Sequence, residues 1–505
     1  MSDAGIAGAG RLTVYGMFRS RVRRDGTALA VEAGARRLSY AELDVRVRRL
    51  SDAFARHGIG RGDRIALLSE NRVEYVEIEL AAARIGAIVA CQNWRLAAAE
   101  LRHCIGLVEP RLIVVSRRYA ANLAALGFDD IPTIEIERDY EGLLTADGGD
   151  GPDPDVDPED GLVILYTSGT TGLPKGALVS HRAQIARNMV LRFDMRATEA
   201  DNFIAWAPMF HMGSTDQVLG ALISGAAVIV IDGFDARAIV DAIARHTLGW
   251  LLLMPGSIEP VVELLRTECT VAKGVRACGA MADLVPTKLI AELSGLLNSP
   301  YLNSFGSTET GLPPLSSVLI PPGTVPASLS KLPSSCCDIR LVDPDGREVP
   351  DGEPGEAAVR GPTVFSGYWN AEATNARDFA GGWFRMGDLF RRNPDGSYDF
   401  VDRAKYMIKS GGENIYPAEI ERVLLADPRV ADAVVVRRKD ERWGEVPVAF
   451  VAAASPDLSI ADVELICRRD LAGYKRPKEV RFVAFDAFPR STTGKIQRHE
   501  METWL

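Results

Sequence analysis

The sequence predicts an α/β protein: a large body followed by a C-terminal unit of about 100 residues with a different texture. Three observations predict it. Short apolar runs alternate with longer amphipathic stretches along most of the chain. Past residue 335 the pattern turns to short strand-like pieces separated by turns, and a compact β–α mixture runs from Val430 to the end. The chain has 505 residues, 47% apolar and 25% charged. That composition is ordinary for globular proteins, and the length buries several cores without a disulfide or metal staple.

Residues 64–68, 87–90, 112–115 and 227–231 are continuous apolar runs of strand length and predict buried strands. Between them, 41–57 and 73–84 carry apolar residues at helical spacing. Such alternation is the pattern of βαβ units in α/β layers. Residues 146–161 are almost wholly Asp, Gly and Pro, which predicts an exposed loop leading into a strand at 162–166. The loop lacks the Gly and Glu spacing of an EF-hand, so no Ca²⁺ site is expected there. Strand-like pieces follow at 338–342, 356–360 and 398–401. The change of texture near residue 405 divides the chain into a body, residues 1–404, and a C-terminal unit, residues 405–505.

Lys and Arg number 58 against 68 Asp and Glu, a net charge of −10. This balance argues against nucleic-acid binding, which depends on basic clusters and counterion release. Arg46, Arg48 and Arg49 fall at helical spacing and predict a solvated helix face. The seven cysteines, Cys91, Cys104, Cys269, Cys278, Cys336, Cys337 and Cys467, are scattered without a C-x-x-C pair. They read as structural free thiols in a reducing compartment. Residues 1–16 lack a basic region followed by an apolar run, so no signal peptide is expected. Apolar stretches such as 250–254 are far too short for a membrane span. These features lead to the expectation of a cytoplasmic protein.

The segment Tyr166-Thr167-Ser168-Gly169-Thr170-Thr171-Gly172-Leu173-Pro174-Lys175-Gly176 directly follows an apolar strand. Its glycines permit backbone angles that let amides converge on an anion. Its hydroxyls add donors, and Lys175 adds a point charge suited to phosphate. A helix is expected after it. A P-loop NTPase is excluded, because Gly172 stands three residues before Lys175 and Gly176 follows it.

This loop resembles the signature of the adenylate-forming superfamily, which includes acyl-CoA synthetases, luciferase-like enzymes and the adenylation domains of peptide synthetases. The resemblance covers essentially the whole chain, because further motifs follow in the family's order. It implies an α/β body of stacked sheets with a β-barrel-like subdomain, a small mobile α+β cap, and ATP, Mg²⁺ and coenzyme A as ligands.

Ser304-Phe305-Gly306-Ser307-Thr308-Glu309 is similar to the family's aromatic-Gly-x-Thr-Glu segment. The resemblance implies that Phe305 flanks adenine, Gly306 allows close approach, and Glu309 holds Mg²⁺ together with Thr171. Gly279-Ala280-Met281-Ala282-Asp283 is expected beside adenine and the acyl chain. Met386-Gly387-Asp388 is similar to the usual Thr-Gly-Asp, which puts Asp388 on the ribose hydroxyls. The long stretch 402–417 resembles the family's hinge and glycine turn. It implies Arg403 on ribose or phosphates, Lys405 as hinge, and Lys409, Gly411 and Gly412 along the pantetheine chain. Pro489-Arg490-Ser491-Thr492-Thr493-Gly494-Lys495 matches the family's catalytic loop, with Lys495 between the reacting carboxylate and the α-phosphate. The same loop resembles sites at which lysine acylation switches family members off; unchanged activity after stoichiometric acetylation of Lys495 would sink that reading.

Phe210-His211-Met212-Gly213-Ser214 resembles the acyl-pocket segment. Amino-acid-activating relatives place Asp after the Phe. Here His211 stands there and provides no permanent negative charge, so an amino acid substrate is disfavoured. His211 is expected to line or gate the pocket. Phe210, Met212, Gly213, Met281, Gly306, Gly311, Leu312 and Pro313 complete an apolar pocket with room left by small residues. No Arg occurs in 303–309, where malonate-binding relatives carry one. A monocarboxylic acid is therefore expected: medium-chain, branched, alicyclic or aromatic. Ten residues follow Lys495, leaving no carrier domain, so free CoA is the expected acceptor. Trp443, Tyr474 and Arg476 resemble the CoA-nucleotide contacts of aroyl-CoA ligases.

The expected function is thus an AMP-forming acid:CoA ligase whose partners are small molecules, with a homodimer the one assembly entertained. Two rivals stand beside it. One delivers the adenylate to a carrier protein or to oxygen, as luciferase-like relatives do. The other is a catalytically silent nucleotide- or acyl-binding protein.

Overall fold

In a computed structural model of the chain, the apolar runs become the strands of two sheets. The structure describes residues 10–145, 154–167, 173–411, 413–490 and 496–505. Half of the acidic 146–161 loop, residues 146–153, thus lies outside the described residues. The strands are β1 (Leu29–Ala33), β2 (Arg36–Ser39), β3 (Arg64–Leu68), β4 (Ile88–Cys91) and β5 (Leu112–Val115). They continue with β6 (Thr133–Glu135), β7 (Gly161–Thr167), β8 (Lys175–Ser180), β9 (Phe203–Ala205) and β10 (Val228–Val230). One sheet has the order β6-β5-β3-β4-β7-β8, the other β2-β1-β10-β9. In the first, only β8 runs antiparallel to its neighbour. β3, β4 and β5 are buried along nearly their whole length, as parallel strands covered on both faces must be.

The predicted helix at 73–84 is Val73–Ile85, which links β3 to β4 and ends on Gly86 in the left-handed conformation. It is buried on every side and touches both β1 and β4, so it lies between the two sheets. Its carboxylates need partners there. Glu77 is completely buried; Arg46 Nε reaches it at 2.6 Å, and the Tyr140 hydroxyl donates to it at 2.8 Å. Arg46 and Arg48 of helix Tyr40–Arg56 are therefore not a solvated face, whereas Arg49 is exposed. Arg46 also pairs with Glu141 at 2.6 Å, Arg48 with Asp44 at 3.1 Å, and Arg49 donates to the Leu144 carbonyl at 3.3 Å. A buried carboxylate is costly without a cation, and this helix supplies Arg46, with Arg36 of β2 at 3.5 Å.

The chain divides into two compact units, residues 1–338 with 359–382, and residues 339–358 with 383–505. The second unit takes in the strands Trp383–Arg392 and Tyr398–Arg403 as well as the chain beyond 405. Its last sheet runs Glu413–Ile415, Ile408–Ser410, Gly444–Ala453, Val430–Asp440, with Glu479–Phe482 parallel to Gly444–Ala453. Alternation along Val430–Asp440 feeds two cores. Ala433 and Val435 pack with Ile420, Leu424, Val463 and Ile466, while Val434 and Val436 pack with Phe450, Phe488 and Met501.

Candidate active site

The phosphate-loop motif closes a hairpin. Thr167 ends β7 and stands opposite Lys175, the first residue of β8. The helix expected after the loop comes only six residues later, as His181–Met195, capped by the Ser180 side chain accepting from Ala183 N. The reason lies in packing: Gly176 sits against Ile164, where an added Cβ would stand 2.8 Å from Cγ2, and the following residues pair with β7. Ser168, Gly169, Thr170, Thr171 and Gly172 lie outside the described residues.

Beyond the hairpin, Lys175 Nζ stands 3.7 Å from the ring centroid of Tyr368, whose hydroxyl donates to Glu309 Oε1 at 2.7 Å. One phenol thus touches both the proposed phosphate cation and the proposed metal carboxylate. Tyr368 is fixed from behind. Its amide donates to Asn375 Oδ1 and its carbonyl accepts from Asn375 Nδ2, each at 2.8 Å, and Phe365 packs edge-on at 4.9 Å. Its segment lies along β8: Leu178 N donates to the Gly367 carbonyl, Ser366 N to that of Leu178, and Trp369 N to that of Gly176. Burial, then the neighbouring Glu309, push the Tyr368 phenol far above its usual range, so it stays a neutral donor. Sequence reasoning missed Tyr368, which carries no charge and belongs to no motif read from the sequence.

Glu309 stands in a tight hairpin in which Gly306 pairs with Pro314 and Ser307 with Gly311. A Cβ on Gly306 would lie 2.0 Å from the Gly311 carbonyl oxygen, so the hairpin itself demands that glycine. Arg187, also unforeseen, holds the turn. It is buried against Asp216 at 3.1 Å and donates to the carbonyls of Thr308 at 3.1 Å and Thr363 at 3.0 Å. Arg187 therefore ties the peptide just before Glu309 to the Thr363 segment. Among the described residues no three His, Cys, Asp or Glu side chains come together as a metal cage. A single carboxylate sharing Mg²⁺ with substrate phosphates is the pattern this hard, strongly hydrated ion accepts, and Glu309 fits it.

The two segments expected at adenine meet. Gly279 has φ +73°, and an added Cβ would stand 2.0 Å from the Tyr301 ring. The Tyr301 hydroxyl donates to the Ala280 carbonyl at 2.7 Å, and Met281 N donates to Ser304 Oγ at 3.1 Å. Phe305 is half-buried, with its amide held by Ser316 Oγ at 2.9 Å. On the acyl side, Phe210 is buried edge-on against Trp94 at 5.8 Å. His211 precedes helix Met212–Ser224, and its Nδ1 accepts from Gly213 N at 3.4 Å, so one ring nitrogen caps the helix. Leu312 is half-buried beside the left-handed Gly311.

In the second unit, Asp388 and Arg403 face each other across paired strands, with Arg403 Nε 3.0 Å from Asp388 Oδ1. Gly387, at φ +74°, precedes it within strand Trp383–Arg392. Lys405 sits in the single turn Ala404–Tyr406, its Nζ 4.9 Å from the Tyr406 ring. Lys409 is exposed, and Gly411, at φ +57°, lies under Trp443, whose ring an added Cβ would meet at 2.7 Å. Gly411 and Trp443 are thus brought together. Tyr474 is exposed, whereas Arg476 spends donors on the carbonyls of Leu471 and Arg468, each at 3.1 Å, at the end of helix Ile460–Asp470. Gly412 and Lys495 lie outside the described residues.

All seven cysteines are free, and burial pushes the Cys104 and Cys278 thiols up to about 12, as inert structural thiols require. Among the described residues no helix is long and apolar enough to cross a membrane.

The model of the AMP-binding enzyme family matches residues 18–369, and that of the AMP-binding enzyme C-terminal domain matches residues 419–495. The chain is 36% identical over 486 residues to an indoleacetate–CoA ligase of Aromatoleum aromaticum, covering 94% of each chain. It is 34% identical to a feruloyl-CoA synthase of Amycolatopsis, covering 95% of this chain and 96% of that one. Among solved structures it is similar to ATP-bound MatB from Rhodopseudomonas palustris, with TM-score 0.85, 28% identity, and 98% and 99% of the two chains covered.

Proposed function

The chain belongs to the AMP-binding enzyme family and is an AMP-forming acid:CoA ligase; we propose that its acid is an aromatic monocarboxylic acid. The observation that carries this is its end-to-end similarity to ligases named for indoleacetate and ferulate. Two features of the chain support it. The acyl segment begins at Phe210 on an aromatic wall, with Trp94 stacked on Tyr119 at 5.4 Å. The ammonium of Lys331, near residues 303–309, is committed to Asp283 and Asn303, and reading a second carboxylate would require it to leave them.

The reaction has two steps. A carboxylate oxygen attacks the α-phosphorus of ATP, the bond to the β-phosphate breaks, and pyrophosphate leaves. The CoA sulfur, having lost its proton, then attacks the acyl carbonyl, and AMP leaves. In the first step we assign Lys175, Thr167 and the 168–172 loop to the phosphates and Gly279–Met281 with Ser304–Thr308 to adenine. Asp388 and Arg403 are assigned to the ribose, and Lys495 to the charge that develops between carboxylate and phosphorus. Glu309, with Thr171, would hold Mg²⁺, which supplies neutralisation of phosphate charge. In the second step Lys409, Gly411, Gly412 and Trp443 are assigned to CoA, with Tyr474 and Arg476 beside them and Lys405 as the hinge. The proposal extends to a cytoplasmic enzyme, in keeping with its free thiols, and to a homodimer.

The experiment is a pyrophosphate-release screen over benzoic, cinnamic, arylacetic, branched and linear acids, each with and without CoA. The expected result is turnover that depends on CoA and is fastest with an aryl acid. A preference for linear acids would overturn the aromatic assignment.

A further inference from the structure

Lys331 is completely buried, which is rare for a lysine. Its ammonium has three donors and meets three acceptors: Asn303 Oδ1 at 2.5 Å, Asp283 Oδ2 at 2.7 Å and the Leu329 carbonyl at 3.4 Å. Asn303 turns its amide back to the carbonyls of Leu329 at 2.9 Å and Ser330 at 3.1 Å, so the group is closed on itself. The partners lie where they matter. Asn303 ends strand Tyr301–Asn303 and leads into Ser304-Phe305-Gly306, and Asp283 stands two residues after Met281.

Burying an ammonium is costly, and an apolar side chain of equal volume would often serve stability as well or better. What an apolar residue cannot do is hold two separate backbone segments at a fixed spacing through directed bonds. We propose that Lys331 is a positioning residue for the nucleotide: it sets the distance between the Gly279–Met281 segment and the Ser304–Phe305 segment, and thereby the width of the adenine slot. Lys331 touches no substrate. It acts through Asp283 and Asn303, adding a second clamp to the Met281–Ser304 hydrogen bond. The inference rests on the assignment of those two segments to adenine.

The test uses the full chain with Lys331→Met, which keeps the stem and removes the donors, and Asp283→Asn, which removes the partner's charge with little change of shape. MgATP binding is measured by calorimetry, and KM is measured separately for ATP, acid and CoA. The expected result is an ATP Kd raised about tenfold in Lys331→Met and about threefold in Asp283→Asn, with acid and CoA KM within about twofold. A lower melting temperature with ATP affinity unchanged in both variants would overturn the inference, as would equal shifts in all three KM values. Phe305→Ala separates the two levels. If it leaves ATP affinity unchanged, the adenine assignment itself fails; if it weakens ATP while Lys331→Met does not, only the role of Lys331 fails.

Discussion

The two units hold the carboxylates proposed for the nucleotide in opposite ways. In the first, Glu309 meets a neutral phenol, Tyr368, whose ring face receives Lys175. In the second, Asp388 is paired directly with the guanidinium of Arg403. A neutral donor orients a carboxylate while leaving its charge for a cation yet to arrive, whereas an ion pair has already used much of that charge. Under the proposed assignments, the difference teaches that the first unit would meet Mg²⁺ and phosphates with a carboxylate whose charge is still available. The second would have to loosen its Asp388–Arg403 pair before Asp388 took up the ribose hydroxyls proposed for it.

The largest expected effect probes the division of labour. Lys495→Ala lowers acyl-AMP formation by about a thousandfold or more yet leaves thioester formation from supplied acyl-AMP within about fivefold. Measuring the half-reactions separately checks it, and equal loss in both would break the comparison. Glu309→Gln lowers kcat/KM for MgATP about a hundredfold, with the loss partly recovered at high Mg²⁺; Asp388→Asn, measured the same way, shows no such recovery. Tyr368→Phe keeps the ring under Lys175 and removes the hydroxyl, so KM for MgATP rises about tenfold with kcat little changed. An unaltered KM would show that the phenol orients nothing.

A smaller and different contrast comes from pH. His181, in the first unit, is fully buried, accepts from Val14 N at 3.2 Å, and is driven by burial down to about 4 from 6.5. The folded state therefore binds fewer protons than the unfolded one between these values. Its contribution is present above pH 6.5 and is lost as pH falls toward 4, a change of at most about 3 kcal/mol. Denaturation midpoints at pH 7 and 4.5 check this, and His181→Gln is expected to flatten the difference.

The layers were legible because burial on both faces writes continuous apolar runs, as at 64–68 and 112–115. The motif residues were legible because glycines and charges stand out locally. What was not legible depends on neighbours distant in the chain. Arg46 looked solvated until Glu77 arrived from another helix. A helix is expected directly after the Lys175-Gly176 end of the loop, but Ile164 claims Gly176 for a strand pair. Tyr368, Arg187 and Lys331 act through partners 59, 121 and 28 residues away, which no local pattern announces.

One feature of the fold carries a liability. β8 ends its six-stranded sheet with a row of amides and carbonyls, and the segment Ser366–Trp369 bonds along it. An open sheet edge invites pairing with another chain. The short stretch that presents Tyr368 to Glu309 is thus also a guard rail against self-association. Variants that loosen it, such as Asn375→Ala, should lose colloidal stability along with ATP affinity, and the two losses should track each other.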